Sequence, residues 1–321
     1  MHPMKLIIQI PCFNEEKTLP DVVRDLPREI PGVDVVEYMI VDDGSSDRTV
    51  EVARELGVHH VLELGSNRGL ATAFSRGVRR CVELGADVIV NTDGDNQYKG
   101  ECIADLVKPI VENRADMVVG ARPISEIAHF SVVKKALQRL GSFVVRQLSG
   151  SSVPDTTSGF RAYSADAALM LHVFNRYTYT LETIIQAGHM NMRIAHVPIQ
   201  VNPKTRESRL MKSMGSYILR SMRVMLRSYL IYQPLRTFFM ISLLPGLAGL
   251  ALCARFVYLE LTKTGPIGHT QSLIAAAILI ILAFMLLVLG ILADLMSANR
   301  KLIMENLYLL RKTSSRKQQV P

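Results

Sequence analysis

Short apolar runs alternate with longer stretches of helical period over the first 120 residues of the chain. Runs of four to eight apolar residues bounded by polar or turn residues predict strands at Lys5–Pro11, Val36–Val41, His60–Leu64, Asp87–Thr92 and Asp116–Gly120. Between them, apolar positions recur at helical spacing in Glu16–Leu26, Asp47–Leu56, Leu70–Leu84 and Glu101–Glu112. Strict β-α alternation predicts an α/β fold with a doubly wound, mainly parallel sheet. Ligands of such sheets bind beyond the carboxyl ends of the strands. The polar residues gather at those ends: Asn14-Glu15-Glu16, Asp42-Asp43-Gly44-Ser45 and Asp93-Gly94-Asp95.

The pattern changes after about residue 203. Thr237 to Ala254 and Ser272 to Ala293 are uninterrupted by charge and long enough to span a bilayer as helices. A pair of buried core helices is the competing reading. Before the first span Ile218, Met222, Met225 and Tyr229 share one helical face, with Arg220, Arg223 and Arg227 opposite. That helix suits the membrane interface, or else packing on the catalytic domain. The division expected is 1–203 catalytic domain, 204–233 basic amphipathic juxtamembrane segment, 234–298 transmembrane hairpin and 299–321 basic tail. No internal repeat or low-complexity linker interrupts it, and the tail after Arg311 reads as disordered.

Composition and charge sharpen this picture. The chain has 321 residues, 49% of them hydrophobic, with a net charge of +8. Basic residues flank both spans, while their connection carries only Lys263 opposed by Glu260. The positive-inside rule then places both termini and the catalytic domain in the cytoplasm of an integral membrane protein. The first strand is not preceded by the apolar core of a secretory signal, which agrees. The surplus charge borders lipid segments without stacking aromatics, so no nucleic-acid partner is expected. Cys12, Cys81, Cys102 and Cys253 have no paired metal-ligand spacing and read as reduced thiols.

Asp93-Gly94-Asp95 sets two carboxylates one glycine apart at a strand end. Hard oxygen ligands of this kind suit Mg²⁺ or Mn²⁺, with substrate phosphates completing the shell. Asp42-Asp43-Gly44-Ser45-Ser46-Asp47 serves either as a helix cap or as a carboxylate acceptor for a base or ribose.

Ile10-Pro11-Cys12-Phe13-Asn14-Glu15-Glu16, Val41-Asp42-Asp43-Gly44-Ser45-Ser46-Asp47 and Asp93-Gly94-Asp95 resemble, in order and spacing, the three signatures of family 2 glycosyltransferases of the GT-A fold. Asp155-Thr-Thr-Ser158-Gly159-Phe160-Arg161 resembles a segment of that family's polyprenyl-phosphate branch, which includes dolichol-phosphate mannose synthase. The resemblance implies metal-dependent, inverting transfer of a sugar from a UDP- or GDP-sugar to a polyprenyl phosphate (undecaprenyl or dolichyl), and allows a homo-oligomer. By position it assigns Pro11, Asn14, Glu15, Asp42 and Asp43 to the nucleoside. It assigns Asp93 and Asp95 to the metal and diphosphate, and Gln97 to the metal shell. Arg122 and Arg161 would meet the acceptor phosphate and, with Asp95, form the catalytic set. Arg206, Ser208 and Arg209 match a basic segment near the membrane face. Asn67-Arg68-Gly69 stands where relatives have Gly-Lys-Gly, leaving Arg68 or backbone N–H groups to meet the donor. Glu182 either orients the sugar or pairs structurally.

Other readings compete. Transfer to a glycolipid or polysaccharide hydroxyl would need a carboxylate base, whereas a lipid phosphate would not. A processive synthase would carry a Gln-x-x-Arg-Trp motif, and this chain has no tryptophan. A catalytically inactive membrane scaffold would have no need of Asp93 and Asp95.

Overall fold

A computed structural model describes residues 3–123, 132–173, 179–202, 222, 226–227, 229–262 and 270–319. Nearly all of the segment 204–228 thus lies outside the described residues, including Arg206, Ser208 and Arg209 and most of the amphipathic face expected there. The chain divides into two compact units, Met1–Met225 with Leu307–Pro321, and Leu226–Asn306.

The first unit is built on a seven-stranded sheet. Its strands are β1 (Lys5–Cys12), β2 (Val35–Asp42), β3 (His60–Glu63), β4 (Val88–Asn91), β5 (Met117–Ala121), β6 (Arg161–Ser164) and β7 (Ile194–Pro198), in spatial order β3-β2-β1-β4-β6-β5-β7. All pairings are parallel except those of β6, which runs against both β4 and β5. The helices between the strands are α1 (Leu19–Asp25), α2 (Thr49–Glu55), α3 (Leu70–Glu83), α4 (Ile103–Val111), α5 (Val132–Ser149), α6 (Ala165–Met170) and α7 (Thr180–His189). The five strands and four helices read from periodicity are all present, each within three residues of its expected ends.

Central strands of a sheet covered on both faces must be apolar throughout. β4 and β5 are accordingly buried at every position, and β1 at all but its first. Leu6, Ile8, Ile10, Val88, Val90, Val118 and Ala162 pack with Ile103, Leu106 and Val107 of α4 on one face. That burial fixes which residues emerge at the rim, because a slip of one position would invert every side chain.

The reversal of β6 decides where the second half of the site lies. Arg161, its first residue, pairs with Asn91, the last of β4. The loop leading into β6 therefore starts from the same rim at which β1, β2, β4 and β5 end.

The second unit contains α8 (Pro234–Thr262) and most of α9 (Thr270–Gln319). Both helices are long and apolar enough to cross a membrane, with mean hydropathies of 1.9 and 3.2 and only 17% of each apolar window buried. That low burial distinguishes them from core helices of a soluble domain. The two pack closely where small residues allow it: a methyl at Gly249 would lie 2.8 Å from Ile280 Cγ1, and Gly246 faces Ala283. Ser297 also donates to the Ile231 carbonyl at 3.0 Å.

From Leu307 onward α9 belongs to the first unit, where the Tyr308 hydroxyl and the Lys312 ammonium reach the Asp166 carboxylate at 2.9 and 2.7 Å. Arg311 donates to the Leu169 carbonyl at 3.3 Å. The tail expected to be disordered after Arg311 is instead helical to Gln319, and Lys312 at its start is tied to Asp166.

Candidate active site

The rim above β1, β2 and β4 is assembled by loops that hold one another. Asn14, in a left-handed conformation (φ 57°), accepts the Ser46 amide on Oδ1 at 2.8 Å, while its own amide donates to Ser45 Oγ at 2.9 Å. The Glu15 amide donates to Thr49 Oγ1 at 2.8 Å, and Glu15 itself is 6% exposed. Asp42 accepts the Gly44 and Ser45 amides at 3.1 Å, closing a turn on itself. Asp43 accepts the Arg68 and Gly69 amides at 2.7 and 2.8 Å, which fixes the start of α3. That reach requires a glycine next door: a Cβ on Gly44 (φ 76°) would lie 2.5–2.7 Å from the backbone of Ser66 and Asn67. Of the expected nucleoside residues, Asn14, Glu15 and Asp43 are tied to neighbouring loops of one rim, Asp42 closes its own turn there, and Pro11 lies near the end of β1. The Arg68 and Gly69 amides, expected as donor contacts, are given to Asp43. The exposed Arg68 side chain lines a groove with Leu62, Leu64, Arg76, Arg79 and Arg80.

Asp93 and Asp95 follow β4. Asp95 Oδ1 accepts the Gln97 amide at 3.2 Å, and Asn96 between them is left-handed (φ 53°). The Thr18 hydroxyl donates to the Gly94 carbonyl at 2.7 Å and ties this turn to the β1 loop. Across the rim the Asp93 carboxylate meets the 155–160 loop, since a methyl at Gly159 would lie 3.1 and 3.3 Å from its two oxygens. Among the described residues no group of three or more His, Cys, Asp or Glu side chains forms a metal cage. Two carboxylates on one tight turn fit a hard divalent cation whose remaining ligands come from substrate and water.

Arg122 lies just beyond β5, within electrostatic reach of Asp93. Its Nε donates to Asp155 Oδ2 at 2.6 Å, and its other nitrogen reaches Asp155 Oδ1 at 3.2 Å and Thr157 Oγ1 at 3.0 Å. Burial disfavours the Arg122 charge, but the neighbouring Asp155 and Asp93 carboxylates hold its pKa raised. Burial likewise opposes ionisation of Asp155, and Arg122 overcomes it, holding the carboxyl below its ordinary range. The Tyr98 phenol, pushed up to about 12 by burial, remains neutral and accepts the Gly159 amide at 3.2 Å. Arg122 is therefore a permanent cation, locked in place and 11% exposed, on the rim that carries Asp93.

Arg161 departs from the expected role. It is fully buried. It donates to the Ser158 carbonyl (2.8 Å), the Thr180 carbonyl (2.8 Å), Thr183 Oγ1 (2.7 Å) and the Thr156 carbonyl (2.9 Å). With four N–H groups committed to neutral protein partners, it joins the 155–160 loop to α7 and offers nothing to an acceptor phosphate. Its place at the start of a strand between two others is what draws it inward.

The roles of three residues emerged only from the structure. Asp155 is the anchor of Arg122, while Asn91 and Tyr179 are buried beneath Asp93 and linked by a 2.8 Å hydrogen bond. Asp155 lies in a polar run that could have flagged it. Asn91 and Tyr179 have no local signal, because what makes them polar partners is the antiparallel return of β6. Glu182 is 8% exposed, in the first turn of α7.

Comparison with known proteins agrees with this geometry. The chain is 31% identical over 212 residues to a UDP-N-acetylglucosamine–dolichyl-phosphate N-acetylglucosaminyltransferase of Methanococcus voltae, covering 60% of this chain and 83% of that one. It is 30% identical over 206 residues to an undecaprenyl-phosphate mannosyltransferase of Micrococcus luteus, covering 61% and 83%. Among solved structures, glucosyl-3-phosphoglycerate synthase of Mycobacterium tuberculosis with Mn²⁺, UDP-glucose and phosphoglyceric acid superposes with a TM-score of 0.58 at 19% identity, over 71% of this chain and 80% of that one. The latter likeness establishes a shared fold. The profile of glycosyl transferase family 2 matches residues 7–169, just over half of the chain. The chain belongs to that family and is a glycosyltransferase.

Proposed function

We propose that the protein transfers a sugar from a UDP- or GDP-sugar to a polyprenyl phosphate at the cytoplasmic face of a membrane, with inversion at the anomeric carbon. The observation that carries this reading is Arg122. A locked cation within electrostatic reach of the Asp93 carboxylate is what an anionic acceptor needs in order to approach an anionic donor. The acceptors named for the Methanococcus and Micrococcus relatives support the same reading.

In this reading the rim formed by Asn14, Glu15, Asp42 and Asp43 holds the nucleoside. A Mg²⁺ or Mn²⁺ ion held by Asp93 and Asp95, with Gln97 nearby, would offset charge on the departing diphosphate. Arg122 orients the acceptor phosphate by charge-assisted hydrogen bonds and aims one of its oxygens at the anomeric carbon. That oxygen is already anionic at neutral pH, so no side chain has to remove a proton. One C–O bond forms as the opposite one breaks, and the nucleoside diphosphate leaves with the electron pair. Two apolar helices keep the domain where a lipid-borne phosphate is presented.

The test uses full-length protein in detergent with Mn²⁺ or Mg²⁺, radiolabelled UDP- and GDP-sugars and undecaprenyl phosphate. Metal-dependent label in the organic phase, lost in Asp95→Ala, is the expected result. Donor binding without label in the lipid across the panel would overturn the acceptor assignment and favour a hydroxyl acceptor.

A further inference from the structure

A chain of buried polar groups lies directly under the rim. Gln9 of β1 donates through Nε2 to Asn91 Oδ1 at 2.9 Å. Asn91 Nδ2 donates to the Gly159 carbonyl at 2.9 Å and to the Tyr179 hydroxyl at 2.8 Å. The Tyr179 hydroxyl in turn donates to the Gly159 carbonyl at 3.2 Å. Gln9 and Asn91 are fully buried, and Tyr179 is 1% exposed. Three segments distant in sequence are thus closed into one ring by a single phenol.

That ring is built tightly. The Tyr179 side chain stacks on Phe74 of α3, with centroids 3.8 Å apart and planes 4° from parallel. Asn91 is two residues before Asp93. A methyl on Gly159 would lie 2.8 Å from the Tyr179 hydroxyl and 3.1 Å from Asp93 Oδ1, so phenol and carboxylate flank the same Cα. That hydroxyl holds both the Asn91 side chain, two residues before Asp93, and the Gly159 backbone that lies against the Asp93 carboxylate.

We propose that Tyr179 is a positioning residue for the metal carboxylate. It touches neither metal nor substrate; it sets Asp93 through Asn91 and Gly159. The proposal rests on the reading of Asp93 as a metal ligand given above. Groups that orient ligands in this way typically govern affinity by roughly 10–100-fold.

Tyr179→Phe keeps the ring and its stack on Phe74 and removes only the hydroxyl. Mn²⁺ binding to full-length protein in detergent, in the presence of UDP or GDP, is followed by the loss of the free-Mn²⁺ electron paramagnetic resonance signal. The expected result is a rise of about tenfold or more in the Mn²⁺ dissociation constant. Phe74→Leu is the companion variant, which disturbs the same stack and spares the hydroxyl. It is expected to lower the melting temperature and leave the Mn²⁺ titration unchanged. A Tyr179→Phe titration that overlays wild type overturns the proposal, as does a Phe74→Leu shift equal to that of Tyr179→Phe. Wild type that takes up no Mn²⁺ overturns both this proposal and the metal assignment. Wild type that binds Mn²⁺ and transfers no sugar to lipid overturns only the reaction proposed above.

Discussion

Replacing Arg161 with lysine separates two roles that share one residue. If Arg161 met the acceptor phosphate, lysine would keep the charge, and the loss would fall mainly on affinity for the lipid. The structure says otherwise. Four N–H groups of a fully buried guanidinium reach three carbonyls and a threonine hydroxyl, spanning the 155–160 loop and the start of α7. A lysine ammonium is one point on a flexible stem and cannot reach both ends of that fork, so at least two charge-assisted bonds are lost. At about 1.5–3 kcal/mol each, the cost is on the order of 3–6 kcal/mol. For a unit of this size, Met1–Met225 with Leu307–Pro321, that converts to a fall of about 6–24 °C in melting temperature. Unfolding of a detergent-held membrane enzyme is scan-rate dependent, so wild type and variant are compared at one scan rate by intrinsic fluorescence. The surviving enzyme is then assayed across lipid concentrations below the transition. The expected outcome is a large thermal shift with an unchanged KM for the lipid. A melting temperature within about 2 °C of wild type, together with a raised KM, would refute the argument.

Two further substitutions follow from the rim. Asp155→Asn leaves the buried Arg122 guanidinium without its counter-charge, which costs about 3–5 kcal/mol at neutral pH. Because Arg122 holds the Asp155 pKa below its unfolded value of about 3.9, the pair stabilises fully above that pH and is lost as pH falls through the folded value. Melting temperatures taken from pH 3 to 7 should show an acid step in wild type that is flattened in Asp155→Asn; parallel curves would contradict the pairing. Asp43→Ala strands the Arg68 and Gly69 amides, lowering stability by about 2–4 kcal/mol and loosening the loop ahead of α3. Calorimetric titration with UDP and GDP should lose the binding seen in wild type, and unchanged affinity for both would place the nucleoside elsewhere.

The legible part of this protein is the part whose chemistry is local. Apolar runs bounded by Asn14-Glu15, Asp42-Asp43 and Asp93-Gly94-Asp95 announced both strands and rim, since in a parallel sheet the polar residue after each strand must surface on one edge. Two uncharged apolar stretches were equally plain. What stayed hidden depended on β6. Nothing local says that Arg161 opens an antiparallel strand between β4 and β5, and a basic residue in a polar motif reads as a ligand contact when it is in fact a buried brace. Asn91 and Tyr179 were silent for the same reason, because their partners are some 70 to 90 positions away.

The inverted strand also ties the two halves of the chain into one site, since it pairs with both β4 and β5. The residues expected to hold the nucleoside and the metal all precede position 98, yet the loop that meets Asp93 from across the rim, 155–160, leads into β6. Between the end of β5 and the start of β6 the described part of the chain includes α5, whose Val145 and Leu148 are buried and whose Ser142 Oγ accepts the Thr156 hydroxyl at 3.1 Å. Because β6 is paired with both β4 and β5, replacements confined to the exposed face of α5 are expected to leave the register of β6 unchanged.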